Sequence, residues 1–300
     1  MRGVKAFLLV ALGSVQSFAP VPTVPSRGSS LFELGLFDFG SFLGGGSGGS
    51  AAAIPATTDA RDKTAIESCK QAINDPRSAN LPLIELEFPA LSALNKLGDG
   101  SLRSTTEAED ANLAFVGKLA RGIAPGPFGG GSGRVSIAVS SSSTNSFRSK
   151  TEAIAKKSGA AIVSASSPSL AEEVGTGGVC VFVTPASRGD YTAAQKLAKS
   201  GTAKAVVLVN AFAKDPRSIP GGATMAYFLK PLTYNSQIAG YLIRSYPSSW
   251  TVLDATTKAV LGTFSDEEIL VKNTNTPDLR ASGRMVQLSV DERAIAARGQ

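Results

Sequence analysis

The chain of 300 residues contains no histidine. That removes the commonest general base at neutral pH and the commonest metal ligand together, and with them every mechanism built on imidazole. Its two cysteines, Cys69 and Cys180, lie far apart with no CxxC spacing, so neither a zinc site nor a disulfide framework is suggested. Cys180 sits inside the apolar run "GVCVFVTP", where a thiol is desolvated and unreactive, and both cysteines read as small buried hydrophobes. The patterns GxxxxGK[ST], HExxH, GxSxG and the EF-hand loop are all missing. A dinucleotide fold would carry GxGxxG after its first strand, and "LIELEFPALSALNKLGDG" has nothing of the kind. The glycines at 129 to 133 precede a strand, so no helix N-terminus follows them to receive a phosphate. These absences point to no cofactor, no metal and no catalytic residue. Lys and Arg exceed Asp and Glu by 30 to 24, a net charge of +6, yet they are scattered, and no nucleic-acid footprint forms.

What is present begins with an address. In "MRGVKAFLLVALGSVQS", Arg2 and Lys5 precede an apolar stretch from Ala6 to Leu12 and then small residues, the order of a signal peptide over residues 1–17, too short to span a bilayer. The following "FAPVPTVPSRGSSLF" holds Ser, Thr, Pro and Arg27 but no acid before Glu33, as a transit peptide does. The pair, with Phe18 at the junction, resembles the bipartite presequences of complex algal plastids. A Phe-rich and then Gly/Ser-rich linker completes residues 18–60. No second apolar run long enough for a lumenal signal follows, so the expected location is the plastid (chloroplast) stroma, with peripheral contact to thylakoids.

Hydrophobic residues at 43% against 18% charged suit a domain with a sizeable core, expected as one α/β domain over residues 61–272 with a C-terminal extension over 273–300. Thr58 or Asp59 is placed to cap a first helix running to Asn74. "LPLIELEFP" alternates Ile84, Leu86 and Phe88 against Glu85 and Glu87, the pattern of a half-buried strand. "STTE" at 104 to 107 is a capping box for the next helix. The rhythm then runs "RVSIAVS", a helix opened by the box "SKTE" and ended at Gly159, "AAIVSAS", a short helix near Pro168, "GVCVFVTP", a helix capped by Asp190 and "AKAVVLVN". Right-handed crossovers between such strands give a Rossmann-like, mostly parallel sheet with helices on both faces. After Gly222, "MAYFLKPL", "QIAGYLIRSYP", "WTVLDA" and "KAVLGTF" predict a C-terminal antiparallel β-meander.

Ligands of open α/β sheets bind outside the carboxyl ends of the strands, and Glu87, Thr184 and Asn210 end strands there, so one crevice could hold all three; satisfied turn and edge residues are the simpler reading. In "GYLIRSYPSSWTVLD", alternation puts Tyr241, Ile243 and Ser245 on one face and Leu242, Arg244 and Tyr246 on the other. Trp250 then packs across the hairpin. This is a structural clamp of an arginine on aromatic rings or, if exposed, a partner contact.

The series "LIELEFP", "VLVNAFAKD", "YFLKPL" and "GYLIRSYPSSWTVLD" resembles a plastid domain of unknown function. That domain occurs in photosystem II assembly factors of the low-accumulation class and as the C-terminal domain of some plastid adenylate kinases. The positions that match are Glu85, Glu87, Asn210, Pro231, Arg244, Tyr246, Pro247 and Trp250. The resemblance implies a plastid role in photosystem or thylakoid protein assembly, with a photosystem or thylakoid protein as client, and no catalytic residue to carry over. Two functions are therefore expected to compete. The first is a non-catalytic assembly factor. The second is an enzyme or sensor binding a nucleotide or phosphorylated metabolite in the strand-end crevice.

Overall fold

The computed structural model describes residues 53–75, 82–89, 105–124, 133–185, 187–211, 222–271 and 276–299. The N-terminal address through residue 52, Ser104 of the expected capping box and the glycines at 129 to 131 lie outside the described residues.

Helix α1 (Thr58–Asn74) is capped by Thr57, whose hydroxyl accepts the Ala60 N–H at 3.1 Å, one residue earlier than the sequence suggested. Strand β1 (Leu83–Glu87) and helix α2 (Thr105–Ile123) follow, then β2 (Val135–Val139), α3 (Asn145–Ser158), β3 (Ala161–Ser164), α4 (Leu170–Val174), β4 (Val179–Val183), α5 (Arg188–Lys199) and β5 (Ala205–Val209). The second half consists of β6 (Thr224–Tyr234), β7 (Gln237–Ser245), β8 (Trp250–Asp254), β9 (Val260–Phe264), α6 (Asp266–Val271) and α7 (Leu279–Arg298). All nine strands join one sheet in the order β3-β2-β4-β5-β1-β6-β7-β8-β9. Pairing is parallel from β3 to β6 and antiparallel from β6 to β9, so the mostly parallel sheet with a C-terminal meander is the observed architecture.

Helices cover both faces. Residues of α1, α2 and α3 bury one face with Ile84, Leu86, Val181 and Val207. On the other face, α4 and α5 close over Leu83, Cys180, Phe182 and Leu208, while α6 and α7 close over Phe228, Leu242, Trp250 and Val252. Strands covered on both sides need apolar side chains at every position, and "VCVFV" and "AVVLV" are buried throughout.

Three local expectations are corrected by this packing. β1 is not half-wet: it is the fifth of nine strands, flanked by β5 and β6, and Glu85 is only 6% exposed. Helix α3 starts four residues ahead of the "SKTE" box, because Thr144 takes the Phe147 N–H and so brings Phe147 into the helix, where its ring is buried. Asp190 does not cap α5 but completes a box: Ser187 accepts the Asp190 N–H, and the Asp190 carboxylate accepts the Ser187 N–H.

Helix α7 lies within the stretch set apart as an extension, and it packs on the antiparallel strands. A side chain on Gly240 would run into Val286 of α7 and sit 2.7 Å from the Leu253 carbonyl oxygen, so the bare glycine is what lets helix and sheet approach. Val286 is buried there, while Leu288 and Ile295 face outward from the same helix.

Candidate functional site

Strands β2 and β4 are neighbours, yet the helix after β2 lies on one face of the sheet and the helix after β4 on the other. The two chain exits diverge at their carboxyl ends, which is the topological switch point where open α/β sheets form a crevice. A cleft of about 300 Å³ lies there. Its lining comes from α2 (Glu109, Asn112), the β2–α3 turn (Ser140, Ser142, Ser143, Thr144) and the strand ends Thr184 and Asn210.

Two of the three crevice residues expected from the sequence therefore meet, and Glu87 does not join them. Thr184 and Asn210 each extend the parallel ladder by one bond, Thr184 N–H to Val209 O at 2.9 Å and Asn210 N–H to Leu86 O at 2.8 Å. Both then turn into left-handed backbone, with φ of 43° and 49°. Asn tolerates that region, whereas a β-branched threonine in it is an outlier. The Asn210 side chain is wholly buried and fixed: its Oδ1 accepts the Phe88 N–H at 2.8 Å, and its Nδ2 donates to Asn112 Oδ1 at 2.7 Å. In the turn, Ser140 Oγ lies 2.8 Å from Ser142 Oγ and accepts the Ser142 N–H at 3.2 Å.

Glu87 shares the opposite face with Glu85. Burial pushes the Glu85 carboxyl up to about 8, and the Glu87 carboxylate beside it adds to the shift. Glu87 is raised by its own burial and drawn back by Lys230. Tyr191 of α5 reaches the same place: burial raises its pKa first, the Glu85 charge adds to that, and its hydroxyl donates to Pro185 O at 2.9 Å. A second groove of about 770 Å³ runs between α4 and α5, lined by Ala165, Ser166 and Ser167 just past the end of β3 and by Arg188, Thr192 and Lys196 of α5.

The rings and guanidinium of the aromatic clamp are buried, and the half-exposed carboxylate of Asp266 closes it at the rim. Arg244 is 2% exposed, donates through Nε to Met225 O at 3.2 Å, and pairs through Nη2 with Asp266 at 2.7 Å. Trp250 donates from its ring nitrogen to the other oxygen of Asp266 at 3.2 Å and packs on Phe228 with ring centroids 5.1 Å apart. The guanidinium carbon stands 5.6 Å from the Trp250 ring and 5.7 Å from Tyr246. Tyr246, expected on the Arg244 face, belongs to the core on the α1 side: β7 ends at Ser245, alternation lapses, and the Tyr246 hydroxyl donates to Asp75 behind α1.

A family model described as a domain of unknown function (DUF1995) matches residues 60–268. The chain belongs to this family. Neither the curated proteins nor the solved structures give a match. The DUF1995 match runs from α1 into α6, so it contains the whole lining of the cleft and the whole clamp, Asp266 included. It ends before α7, whose Ser289 and Arg293 both donate to the buried Asp254. Burial alone would raise the Asp254 pKa. Bonds from Arg293, Ser289 and the N–H groups of Thr257 and Thr256 outweigh it and hold the carboxyl well below the usual carboxylate range.

Sequence reasoning missed Asn112 and the serine run of the β2–α3 turn. Asn112 sits mid-helix and carries no local mark. The run "SSSSTNS" did carry one, because a polar tract between a strand and a helix occupies the place of a glycine-rich phosphate loop.

Proposed function

We propose that this protein is a non-catalytic plastid factor that works from the stroma, in peripheral contact with thylakoids, to assist photosystem or thylakoid protein assembly through a protein client. Support comes from the two-step N-terminal address, from DUF1995 membership and above all from one observation: the buried side chains of its most distinctive motif, Arg244 and Trp250, both bond the carboxylate of Asp266 at the start of α6. Buried side chains whose polar atoms are engaged in this way hold a surface in shape. Among the described residues no helix is long and apolar enough to cross a membrane. Peripheral contact then falls to the surface of the folded domain.

The test is co-sedimentation of the purified chain with thylakoids across a salt series, run beside nucleotide hydrolysis. Simple charge attraction is screened within about 10 Å at 0.1 M salt, so retention that outlasts moderate salt marks a packed client contact. Loss of all retention at moderate salt, together with turnover of a nucleotide, would overturn the reading. The cleft between β2 and β4 favours a second reading, binding of a small ligand, because its polar lining converges from three parts of the chain at the switch point.

A further inference from the structure

Internal bonding in the β2–β4 cleft leaves one donor over. The backbone N–H of Phe88 can only donate, so the Asn210 atom it meets at 2.8 Å must be the oxygen. Asn210 Nδ2 is therefore the atom directed to Asn112, and what it meets at 2.7 Å must be Asn112 Oδ1. That orients Asn112 as well. Its amide nitrogen, with two hydrogens to give, has no partner among the described residues, although the residue is only 3% exposed. Among those residues the one side-chain polar atom both sealed from solvent and unbonded is Ser136 Oγ, so Asn112 Nδ2 is not sealed. The space it opens on is the cleft that Asn112 lines.

The same cleft receives the N-terminus of α3, a helix of 14 residues with no acidic side chain in its first turn. Thr144 uses its hydroxyl to cap Phe147, which leaves the Asn145 and Ser146 N–H groups, at the positive end of the helix dipole, without a backbone acceptor among the described residues. Hydroxyls of Ser142 and Ser143 stand in the turn just before them. Donors thus arrive from α2, from the turn and from the helix end. Three separate donor sets suit the three oxygens of a phosphate better than the two of a carboxylate. Glu109 lies on the lining as an acceptor, which would repel a bare anion but accepts hydrogen bonds from hydroxyls. About 300 Å³ is the lower end of the range for small-molecule sites and excludes a whole dinucleotide.

Resting on the ligand-binding reading of this cleft, we propose that it binds a small phosphate monoester with a hydroxylated skeleton, of the sugar-phosphate class. Asn112 Nδ2, Ser142, Ser143 and the start of α3 hold the phosphate, and Glu109 takes the hydroxyls.

The purified full chain is titrated with inorganic phosphate, ribose 5-phosphate, ribose and succinate, following the melting temperature and the Asn112 side-chain amide resonance. Ribose 5-phosphate is expected to bind most tightly, inorganic phosphate more weakly, and both are expected to shift that resonance. Ser143→Asp places a carboxylate at the helix N-terminus, where an acid suits the fold, and is expected to weaken ribose 5-phosphate at least tenfold without lowering the melting temperature. Asn112→Asp keeps the acceptor for Asn210, replaces the free donor by an anion, and is expected to weaken it comparably. Undiminished binding in both variants overturns the proposal. Ribose or succinate binding as tightly as ribose 5-phosphate, with the same Asn112 shift, overturns the phosphate assignment but keeps the cleft as a ligand site. If no probe moves the Asn112 resonance, the proposal and the cleft reading fall together.

Discussion

In β2, β4 and β5 every side chain is buried, nearly all are apolar, and the polar groups gather beyond the strand ends in Asn112, Ser140, Thr184 and Asn210. In β7 and β8 the charges lie inside the strands: Arg244 and Asp254 are both buried, and each is matched by partners from a helix that follows the meander. The parallel half is covered by α1, which precedes its first strand, and by helices woven between its strands; that cover is mostly apolar, with one buried pair, Arg61 and Asp62, tying α1 to Pro89 O just past β1. The antiparallel strands are joined by short turns, and their cover on this face, α6 and α7, comes only after the last strand. Ion pairs that each have one buried partner, Arg244 with Asp266 and Asp254 with Arg293, fix where those two helices land. Side chains that look most like a site, an arginine among aromatic rings, are thus bonded to the start of α6, while an unremarkable serine tract borders the open cleft.

The largest expected effect breaks the fastening of α6. Trp250 is 1% exposed, touches Phe228 and Arg244, and shares Asp266 with that arginine. Trp250→Ala removes the ring and leaves a cavity in the antiparallel half, at an expected cost of ~3 to 5 kcal/mol, a large part of a domain's whole stability. Chemical denaturation measures it. A variant as stable as the parent would show that the antiparallel half does not depend on its clamp.

A smaller loss is expected at the corresponding polar residue of the parallel half. Asn210→Ala leaves the buried Phe88 N–H without an acceptor, frees Asn112 to turn, and puts alanine where φ is positive. An orphaned buried donor costs ~1 to 3 kcal/mol. The comparison sharpens if this variant unfolds at lower denaturant than the parent while the Trp250 fluorescence of its native state is unchanged. A changed native spectrum would mean that the two halves are coupled through β1 and β6.

Legibility in the sequence followed the same division. The apolar runs of β4 and β5 announced a doubly covered parallel sheet because burial on both faces leaves no polar position to confuse the pattern. The meander was readable from alternation and short turns. Misreadings came where a competing local signal sat one turn away: Ser149 of "SKTE" lies inside α3, which the Thr144 cap and the buried Phe147 had already begun. The alternation of "LIELE" is real, yet it cannot say that both faces are covered, since the strand's central place depends on β5 and β6, more than a hundred residues later. Asn112 belongs to the cleft only through Asn210, a partner 98 positions away that no window of sequence brings beside it. Of the expected site, Thr184 and Asn210 were legible as strand ends; Glu87 was assigned to the wrong side because strand position was weighed and side-chain direction was not.

The smallest effect concerns the one place where the parallel half buries an acid inside a strand. Glu85 lies between the two helix-covered regions of its face, with Glu87 beside it on β1, Tyr191 approaching from α5 and Lys230 of β6 acting on Glu87. It makes no ion pair or hydrogen bond among the described residues, which is the reverse of Asp254, whose four donors keep it ionised. Its ordinary value of 4.5 is raised to about 8 on folding. Between those values the native chain binds a proton that the unfolded chain has lost. Stability is therefore full below pH 4.5 and falls as pH rises toward about 8, with no further change from this group above that. The slope contributed by one such group is at most ~1.4 kcal/mol per pH unit. Glu85→Gln keeps the shape of the neutral acid and removes its titration. Denaturation midpoints measured at pH 6 and pH 7 should fall in the parent and fall less in Glu85→Gln, with the variant gaining on the parent as pH rises. Parallel pH profiles would show that the Glu85 carboxyl is ionised in the fold, and the contrast with Asp254 would then vanish.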